Sequence, residues 1–464
     1  MTNVASWTAR LRQLAERSGV PGAVLGIWAD GQEMLASCGV LSTATGVEAT
    51  TDSLFQIGSI TKVWTATMIM QLIEEHRLTL ETTIADVLPG ARIGVADLGR
   101  ALTIRHLLTH TSGLDGDIFT DTGRGDDCIK RYVDELANAR SVFPAGAAYS
   151  YCNSGYVLAG RVIEEIDGRP WDESLRDRLV GPLGLAETVT LPEEAILHRA
   201  AIGHYQGDPA QTWSLPRSVG PAGAITTSAH DLLAVARLHL DGGITPEGKR
   251  LLSHDSTAAM RQPQTRIPYF SESTAIGLGW RISDWNGLTV IGHDGGTIGQ
   301  SAYLRIAAEA RMAVCLLTNA SEAQVLYERV FAEVFREVAG ITMPAGPEPA
   351  VPPDDMEARR GMAARLDLGR HAGRYERAAR RYDVAVVDGL PRATVTTIGQ
   401  LSTLVGPQPE DVVLYPADST GVNFVCRSGD EEPWTPVSFG QLDDGTPYLF
   451  ASGRIALKTD APQA

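Results

Sequence analysis

A serine and a lysine three residues apart are the side chains in this sequence best suited to chemistry. Ser59 and Lys62 lie in the segment Gln56-Ile-Gly-Ser-Ile-Thr-Lys62, which opens an apolar stretch with helical spacing. Residues three apart share one face of a helix, so the amine would lie beside the hydroxyl. A serine needs a neighbouring base to act as a nucleophile, and a desolvated lysine can lose its proton whereas an arginine cannot. The spacing therefore indicates a nucleophile and its base at a helix start, where free N–H groups favour negative charge.

Lysine is rare in this chain, which makes its position informative. The chain has 40 basic residues, but its only lysines are Lys62, Lys130, Lys249 and Lys458. Of these, Lys62 alone follows a serine at this spacing. A helix-capping serine followed by a solvated lysine would give the same segment, so both interpretations stay open on these residues alone.

A second candidate segment is Tyr151-Cys-Asn153, which follows a turn-rich stretch. Residues two apart in an extended segment point in the same direction, so the phenol and the amide would face one site. A phenol can relay a proton, and an amide can hold a substrate carbonyl. Aromatic packing in a loop is the structural alternative for this segment taken alone.

A third candidate segment is His293-Asp294-Gly295-Gly296, which precedes a strand-like run at 301–306. Glycines beside a strand edge allow a substrate to approach the backbone closely. The N–H of Gly296 would then be a second oxyanion donor beside that of Ser59. A histidine such as His293, taken alone, is more often structural than catalytic, and we expect it to be mostly neutral at pH 7.

The elements that must position these segments predict an α+β fold. Two strand-like runs at 22–28 and 32–40 are joined by Asp30-Gly31, a strong hairpin signal. Further strands are expected at 288–292, 301–306 and 312–317, followed by a helix over 322–338, and helical patterns dominate between 80 and 240. Strands at both ends with helices between them predict one antiparallel sheet with flanking helices and a helical subdomain.

The last quarter of the chain has a different texture. A proline-rich linker is predicted at 343–357, because five prolines fall between Met343 and Pro353. Short alternating strands separated by turn signals follow it, which predicts an all-β small barrel over 358–464. The first domain is accordingly predicted to span residues 1–342.

Composition limits the possible partners. A net charge of −16 and a pI near 5.1 disfavour nucleic acid and anionic membrane surfaces. The longest largely apolar stretch, 63–73, is too short for a membrane span, and residues 1–19 lack the apolar core of a signal peptide, so we expect a cytoplasmic protein. The five cysteines show no metal-ligand spacing, and we interpret the His106/His110 pair as structural. We expect neither a metal nor a cofactor.

Taken in order, the three segments resemble the motifs of the serine β-lactamase and penicillin-binding-protein superfamily. Its class C β-lactamase, DD-peptidase and esterase branch carries Ser-x-x-Lys, Tyr-x-Asn and Lys/His-x-Gly in this order. The stretches 106–114, 181–185 and 220–232 also match, and the resemblance covers about residues 5–340.

The resemblance implies a role for each motif residue. Ser59 would attack an acyl carbonyl, Lys62 and Tyr151 would share the general-base role, and Asn153 would orient the acyl amide. The resemblance does not decide which of Lys62 and Tyr151 is the base. The amides of Ser59 and Gly296 would hold the oxyanion, and the third motif would line the substrate site through His293, Asp294 and Gly295.

Two departures narrow the expected function. Lactamases of this branch usually carry Lys at the third motif, where this chain has His293, and the expected cytoplasmic location also disfavours antibiotic defence. A member with an appended small barrel resembles the penicillin-binding-protein-type thioesterases, whose barrel is lipocalin-like. That resemblance implies a peptidyl ester or thioester substrate, possibly held on a carrier protein, and cyclisation at a D-residue. Arg454, near the end of the barrel, is a candidate carboxylate ligand.

Other functions remain open from the sequence. One is a cytosolic serine esterase or a D-amino-acid peptidase of β-lactamase type, in which water attacks the acyl-enzyme. Another is a receptor that is acylated once and does not turn over. They differ from a cyclase in what attacks the acyl-enzyme, because a cyclase must exclude water and seat the peptide's own amine.

Overall fold

The structure is a computed structural model that describes residues 4–95, 98–118, 120–269, 272–399, 402, 409–429 and 432–459. The first part of the chain is built on an eight-stranded antiparallel sheet with the order β2-β1-β13-β12-β11-β10-β9-β8. Its strands, with those of two small sheets, are β1 (Gly22–Ala29), β2 (Gln32–Gly39), β3 (Phe55–Gln56), β4 (Thr188–Val189), β5 (His204–Tyr205), β6 (Asp208–Pro209), β7 (Thr226–Thr227), β8 (Thr265–Arg266), β9 (Ser273–Ile276), β10 (Arg281–Trp285), β11 (Leu288–Gly296), β12 (Ser301–Ala307) and β13 (Met312–Thr318).

Helices cover both faces of this sheet. The α-helices are α1 (Val4–Arg17), α2 (Thr61–Glu74), α3 (Ile84–Val87), α4 (Ile104–Leu108), α5 (Cys128–Glu135), α6 (Asn153–Asp167), α7 (Trp171–Leu175), α8 (Gly181–Leu183), α9 (Pro192–Ala195), α10 (Gly220–Gly223), α11 (Ala229–Leu240), α12 (His254–Met260), α13 (Gln324–Ala339) and α14 (Met356–Ala363). Short 3-10 turns occur at Gly58–Ile60, Leu98–Arg100, Leu136–Asn138, Arg217–Val219 and Leu368–His371, and a π-helical turn at Arg176–Val180 joins α7 to α8.

Both chain ends of the first part complete the sheet, as the sequence predicts. Strand β1 pairs with β2 on one side and with β13 on the other. The β1–β2 turn has positive φ at Asp30 (51°) and Gly31 (76°), the conformation that favours Asp-Gly in a two-residue hairpin. Apolar residues of α1 and α13 pack on one face of the sheet, and the large helical core containing α2 and α6 packs on the other. The predicted α+β fold is confirmed.

The C-terminal part is a nearly closed barrel of nine strands. They are β14 (Gly373–Arg377), β15 (Arg380–Val387), β16 (Leu390–Thr397), β17 (Glu410–Val413), β18 (Tyr415–Pro416), β19 (Asn423–Cys426), β20 (Thr435–Gln441), β21 (Pro447–Ala451) and β22 (Arg454–Thr459). The sheet order β17-β16-β15-β14-β22-β21-β20-β19-β18 ends on two strands separated only by Leu414, so one kinked segment joins both edges. The predicted all-β barrel is confirmed.

The proline-rich stretch between the two parts has an irregular backbone. All of residues 343–355 are described, and none of them lies in a helix or a strand.

None of the helices in the described part of the chain has the length and apolar character that crossing a bilayer requires.

Candidate active site

Ser59 lies in a single 3-10 turn, Gly58–Ile60, that leads directly into α2. Lys62 follows on the first turn of α2, and its side chain is fully buried. Its Nζ lies 2.9 Å from the Oγ of Ser59 and donates to the backbone carbonyl of Ala222 at 2.6 Å. The serine–lysine spacing read from the sequence therefore places the hydroxyl and the amine in direct contact.

The environment of Lys62 favours a neutral amine. Burial lowers the pKa of this amine well below its ordinary value, and the cationic side chains of Arg454 and Arg281 lower it further. A neutral amine that donates one N–H to Ala222 keeps its lone pair for the proton of Ser59. The geometry is that of a nucleophile in contact with its base.

Two glycines let the end of β11 lie against the nucleophile turn. A Cβ on Gly295 would lie 1.8 Å from the carbonyl oxygen of Ile57 and 3.2 Å from the backbone N of Ser59. Gly58 has φ +49°, and a Cβ there would lie 2.8 Å from the backbone N of Gly296. Side chains at Gly295 and Gly58 would therefore separate the two backbone segments. This contact brings the amides expected to hold an oxyanion into one place.

Three basic side chains lie close to the aromatic ring of Tyr151. The Nζ of Lys62 is 5.0 Å from the centroid of its ring, and the guanidinium carbons of Arg454 and Arg281 are 4.8 and 5.6 Å from it. Burial raises the pKa of the Tyr151 phenol, although Arg281 and the Ser59 side chain act in the opposite direction. The phenol is therefore neutral at physiological pH, whereas the lowered pKa of Lys62 favours the lysine as the resting base.

Tyr151→Phe is expected to lower kcat about 10²–10³-fold, because it removes a proton relay but leaves Ser59 and Lys62 in place. The same change at Tyr205 is the control, since that residue of β5 is 48% exposed and has no assigned part in the site. Steady-state kinetics with a Ser59-dependent ester substrate measures the effect. Equal rates in wild type and Tyr151→Phe would rule out a relay through the phenol.

His110 stacks on the face of Tyr151 and was not expected in the site. Their ring centroids are 4.2 Å apart with an interplanar angle of 29°. The Nδ1 of His110 accepts the backbone N–H of Cys152 at 3.0 Å, which places the proton of the neutral ring on Nε2. Burial, with Lys62 and His293 nearby, holds the pKa of His110 well below its usual value. From the sequence, His110 was interpreted as structural and its contact with Tyr151 was not predicted. A single histidine carries no local signal of the side chain on which it stacks.

His293 is fully buried and also neutral. Burial, followed by the positive charge of Arg281, lowers the pKa of its imidazole well below the ordinary value. Its Nδ1 donates to the carbonyl of Asp294 at 2.7 Å, so Nε2 carries the lone pair. The ring centroids of His293 and Tyr151 are 6.1 Å apart. His293 thus borders the site as an uncharged group, where the lactamase pattern would place a cation.

Asp294 pairs with two arginines, and its expected part in substrate binding stays a prediction. Its carboxylate accepts from Arg281 at 2.9 Å and from Arg305 at 2.6 Å. Burial opposes ionisation, but Arg305 and Arg281 outweigh it and hold the pKa of the Asp294 carboxyl below its usual value. Because successive residues of a strand point to opposite faces, Asp294 lies opposite His293. It anchors Arg281, which the sequence did not indicate as a site residue.

Asn153, the first residue of α6, belongs to a charged network that the barrel completes. Its Nδ2 donates to a carboxylate oxygen of Asp117 at 3.3 Å. The same carboxylate is paired with Arg377 from β14 and, at 2.8 Å, with the Nε of Arg454 from β22. Asp117 and Arg377 were not found from sequence, since their contact joins segments that no local pattern relates.

The barrel also contacts the site through its backbone and apolar residues. The N–H of Tyr151 donates to the carbonyl of Gly453 at 2.9 Å, and the N–H of Ile455 donates to the Oγ of Ser150 at 3.1 Å. One buried apolar cluster contains residues from both parts, namely Phe143, Tyr149, Tyr151, Ile267, Ile276, Phe450 and Ile455. The turn between β21 and β22 therefore forms one wall of the site. Within the described residues, no group of three or more His, Cys, Asp and Glu side chains is arranged to hold a metal ion.

A family model for β-lactamase matches residues 7–334, the whole of the part that carries Ser59, Lys62, Tyr151 and His293. The chain belongs to the β-lactamase family. This family member is a serine hydrolase of the β-lactamase and penicillin-binding-protein type. Penicillin-binding protein 4 of Amycolatopsis lactamdurans is 42% identical over 381 residues, which span 80% of this chain and 97% of that protein.

Solved structures resemble this β-lactamase-family chain over different lengths. The crystal structure of SurE covers 98% of this chain and 99% of its own, with 27% identity and a TM-score of 0.75, and SurE with D-Leu gives a TM-score of 0.73 at 26% identity. A D-stereospecific amidohydrolase from Streptomyces sp. covers 70% of this chain, with 26% identity and a TM-score of 0.57. The similarity to SurE thus includes the barrel.

Proposed function

We propose that this protein is a serine acyl-enzyme catalyst that takes a peptidyl group from an ester or thioester and releases it as a cyclic peptide. The observation that carries the proposal is the contact between Ser59 and the buried Lys62, 2.9 Å from Oγ to Nζ. Motifs resembling the penicillin-binding-protein-type thioesterases and the appended barrel support the peptidyl substrate class.

Acylation begins when the Oγ of Ser59 attacks the acyl carbonyl carbon and its proton passes to the Nζ of Lys62. The N–H groups of Ser59 and Gly296 hold the resulting oxyanion, an interaction whose loss commonly lowers the rate about 10²–10³-fold. Collapse of the intermediate breaks the bond to the leaving thiol or alcohol. Lys62 returns the proton to that leaving group through the phenol of Tyr151.

Release repeats the same steps with a second nucleophile. The peptide's own amine attacks the acyl carbon and its proton passes to Lys62. The bond from that carbon to the Oγ of Ser59 then breaks, and Lys62 returns the proton to Oγ, which completes the amide bond and regenerates Ser59. Water in place of the amine would give a linear acid. The barrel wall at Tyr151 supports cyclisation, because a covered site excludes water and holds the amine at high effective concentration.

A D-configured acyl residue is part of the proposal. SurE has been crystallised with D-Leu, and the Streptomyces amidohydrolase is D-stereospecific by name. The guanidinium carbon of Arg454 lies 4.8 Å from the centroid of the Tyr151 ring, and the amide of Asn153 contacts the same Asp117 carboxylate as Arg454. We assign Asn153 to the acyl amide, and we keep Arg454 as a candidate ligand for a substrate carboxylate or carbonyl.

Hydrolysis without cyclisation is the second candidate function. It is favoured by the 42% identity to a penicillin-binding protein and by the likeness to an amidohydrolase. A protein that is acylated once and deacylates slowly would also be consistent with the identity to penicillin-binding protein 4. The peptidyl carrier protein, as the source of the thioester, belongs to the cyclase proposal alone.

Mass spectrometry of the products decides between these functions. The substrate is a peptidyl pantetheine thioester that ends in a D-residue, with the L-residue epimer and the Ser59→Ala variant run alongside. Cyclic product from the D-substrate and wild type only is the expected result. Linear acid alone would overturn the cyclase in favour of a hydrolase, and no Ser59-dependent turnover would overturn the thioesterase function.

Arg454→Met is expected to lower kcat/KM for the peptidyl thioester about 10–100-fold. It is also expected to move the rising limb of the pH–rate profile to higher pH, because the Arg454 charge lowers the pKa of Lys62 and its loss lets that pKa rise. The matched control is Arg374→Met, which removes an arginine paired with Asp383 across two barrel strands at 2.7 Å. A limb that shifts equally in both variants, or in neither, would contradict a role for Arg454 in the site.

A further inference from the structure

The loop between α4 and α5 carries a carboxylate that bridges the two parts of the chain inside the active site. The Asp117 side chain is 7% exposed, and its partners Arg377 and Arg454 are 7% and 19% exposed. Both arginines come from the barrel, whereas the third partner, Asn153, opens α6 beneath Tyr151. One carboxylate thus fixes side chains from both parts at once.

We propose that Asp117 is a positioning residue that makes barrel docking a condition for an assembled acyl-binding site. It holds the amide of Asn153 and the guanidinium of Arg454 on one carboxylate, with Arg454 against the ring of Tyr151. This inference rests on the proposed function for its substrate, but its structural part concerns docking alone. Asp117 lies outside all three sequence motifs.

Charge balance explains why Asp117 in particular has this role. Two cations of the barrel, Arg377 and Arg454, converge on Asp117 at the domain contact, and a buried unpaired charge is strongly unfavourable. Burial opposes ionisation of Asp117, but Arg454 and Arg377 outweigh it and hold the pKa of its carboxyl below its usual value. Asp115 adds a second acceptor, since its carboxylate accepts the N–H of Ala378 at 2.6 Å. Without Asp117 the two arginines would repel each other and loosen the contact.

The hydrogen bond to Asp117 fixes the orientation of the Asn153 amide. A side-chain amide has two N–H donors and one oxygen acceptor. The bond to Asp117 uses one N–H and fixes which way the amide points, so the second N–H is left to donate to an acyl carbonyl. A free amide could present its oxygen instead, which would repel that carbonyl. Asp117 therefore acts on the substrate through Asn153.

The test is Asp117→Asn with Asp383→Asn as the matched control. The control makes the same change in an ion pair inside the barrel, with Arg374, away from the domain contact. Each variant is assayed with the peptidyl thioester and with p-nitrophenyl acetate, whose acetyl group has no acyl amide. We expect Asp117→Asn to lower kcat/KM for the peptide about 10–100-fold, to change p-nitrophenyl acetate by less than about threefold, and Asp383→Asn to change neither. Equal losses with both substrates would overturn a positioning role.

The pH profile gives a readout that a merely structural role would not move. The titratable groups acting on Lys62 are Arg454, Arg281, Cys152 and Asp117. Burial raises the pKa of the Cys152 thiol to about 11, so that thiol is neutral, whereas the negative charge of Asp117 raises the pKa of Lys62. Asp117→Asn removes that negative charge, so the pKa of Lys62 should fall. The rising limb of activity should then move to lower pH, opposite to the shift expected for Arg454→Met. A limb shifted to higher pH in both variants would contradict the proposal.

Hydrogen exchange tests docking independently of any substrate. In Asp117→Asn the amides of Tyr151 and Ile455, which bond across the domain contact, are expected to exchange at least about tenfold faster than in wild type. Unchanged exchange would overturn the proposal even if peptide cyclisation is established, and faster exchange would sustain it even if the enzyme proves to be a hydrolase. If Asp117→Asn fails to fold, Asp117→Asn with Arg377→Met removes one cation together with the anion, and the same measurements apply.

Discussion

Ser59→Ala is expected to lower kcat about 10⁵–10⁶-fold, the scale on which loss of a catalytic serine acts in serine hydrolases. The Kd for the peptidyl substrate should stay within a few-fold of wild type, because the binding groups of the site remain. Rates are measured by following thiol release from the thioester. The matched control is Ser18→Ala, a serine after α1 whose hydroxyl has no hydrogen-bond partner among the described residues.

Residual turnover in Ser59→Ala above about one hundredth of the wild-type rate would contradict the assignment of the nucleophile. A large rise in Kd would show instead that Ser59 contributes mainly to binding. Ser18→Ala is expected to match wild type in both quantities.

Lys62→Met is expected to lower kcat/KM about 10³–10⁴-fold, near the upper range for loss of a general base. Methionine retains the length of the buried chain but has no proton acceptor, and Lys62→Arg is expected to fail equally because guanidinium stays protonated. Lys130→Met is the control, since Lys130 is exposed and pairs with Asp134 at 2.9 Å, away from the site. Acylation rates from the pre-steady-state burst measure the effect.

The pH dependence follows from the same residue. Only neutral Lys62 can accept the serine proton, and its neutral fraction rises with pH through the lowered pKa. Wild-type kcat/KM should therefore rise with pH and level off well below the usual lysine pKa. A rise that continues to about pH 10 would show a charged resting lysine. Retention of more than about a tenth of the activity in Lys62→Met would make Tyr151 the base.

The contact between Ser59 and Lys62 could be predicted from the sequence because it is local. Ser59 and Lys62 are in contact because a helical turn places them so, and helical spacing is readable from the chain. The Asp30-Gly31 hairpin and the barrel strands are likewise marked by turn residues. The helix predicted over 322–338 differs from α13, Gln324–Ala339, only at its ends, as cap positions often do.

The barrel wall of the site could not be predicted, because it depends on docking of two separately patterned parts. Arg454 was a candidate ligand from the sequence, but its pairing with Asp117 was not predicted. Asp117 lies far away in the chain, and no periodicity relates the two residues. The arginine partners of Asp294 were not predicted for a related reason. Its neighbour His293 borders the site, but Asp294 faces two arginines whose positions follow from strand pairing rather than from the motif.

The measurement that tests the acyl-enzyme most directly is intact-protein mass spectrometry after rapid quenching with the peptidyl thioester. We predict a mass increase equal to the acyl group in wild type, mapped by peptide fragmentation to Ser59, and none in Ser59→Ala. Its amount should rise with pH over the same range as kcat/KM. A modified residue other than Ser59, or turnover without any acylated protein under conditions where deacylation is rate-limiting, would contradict catalysis through Ser59.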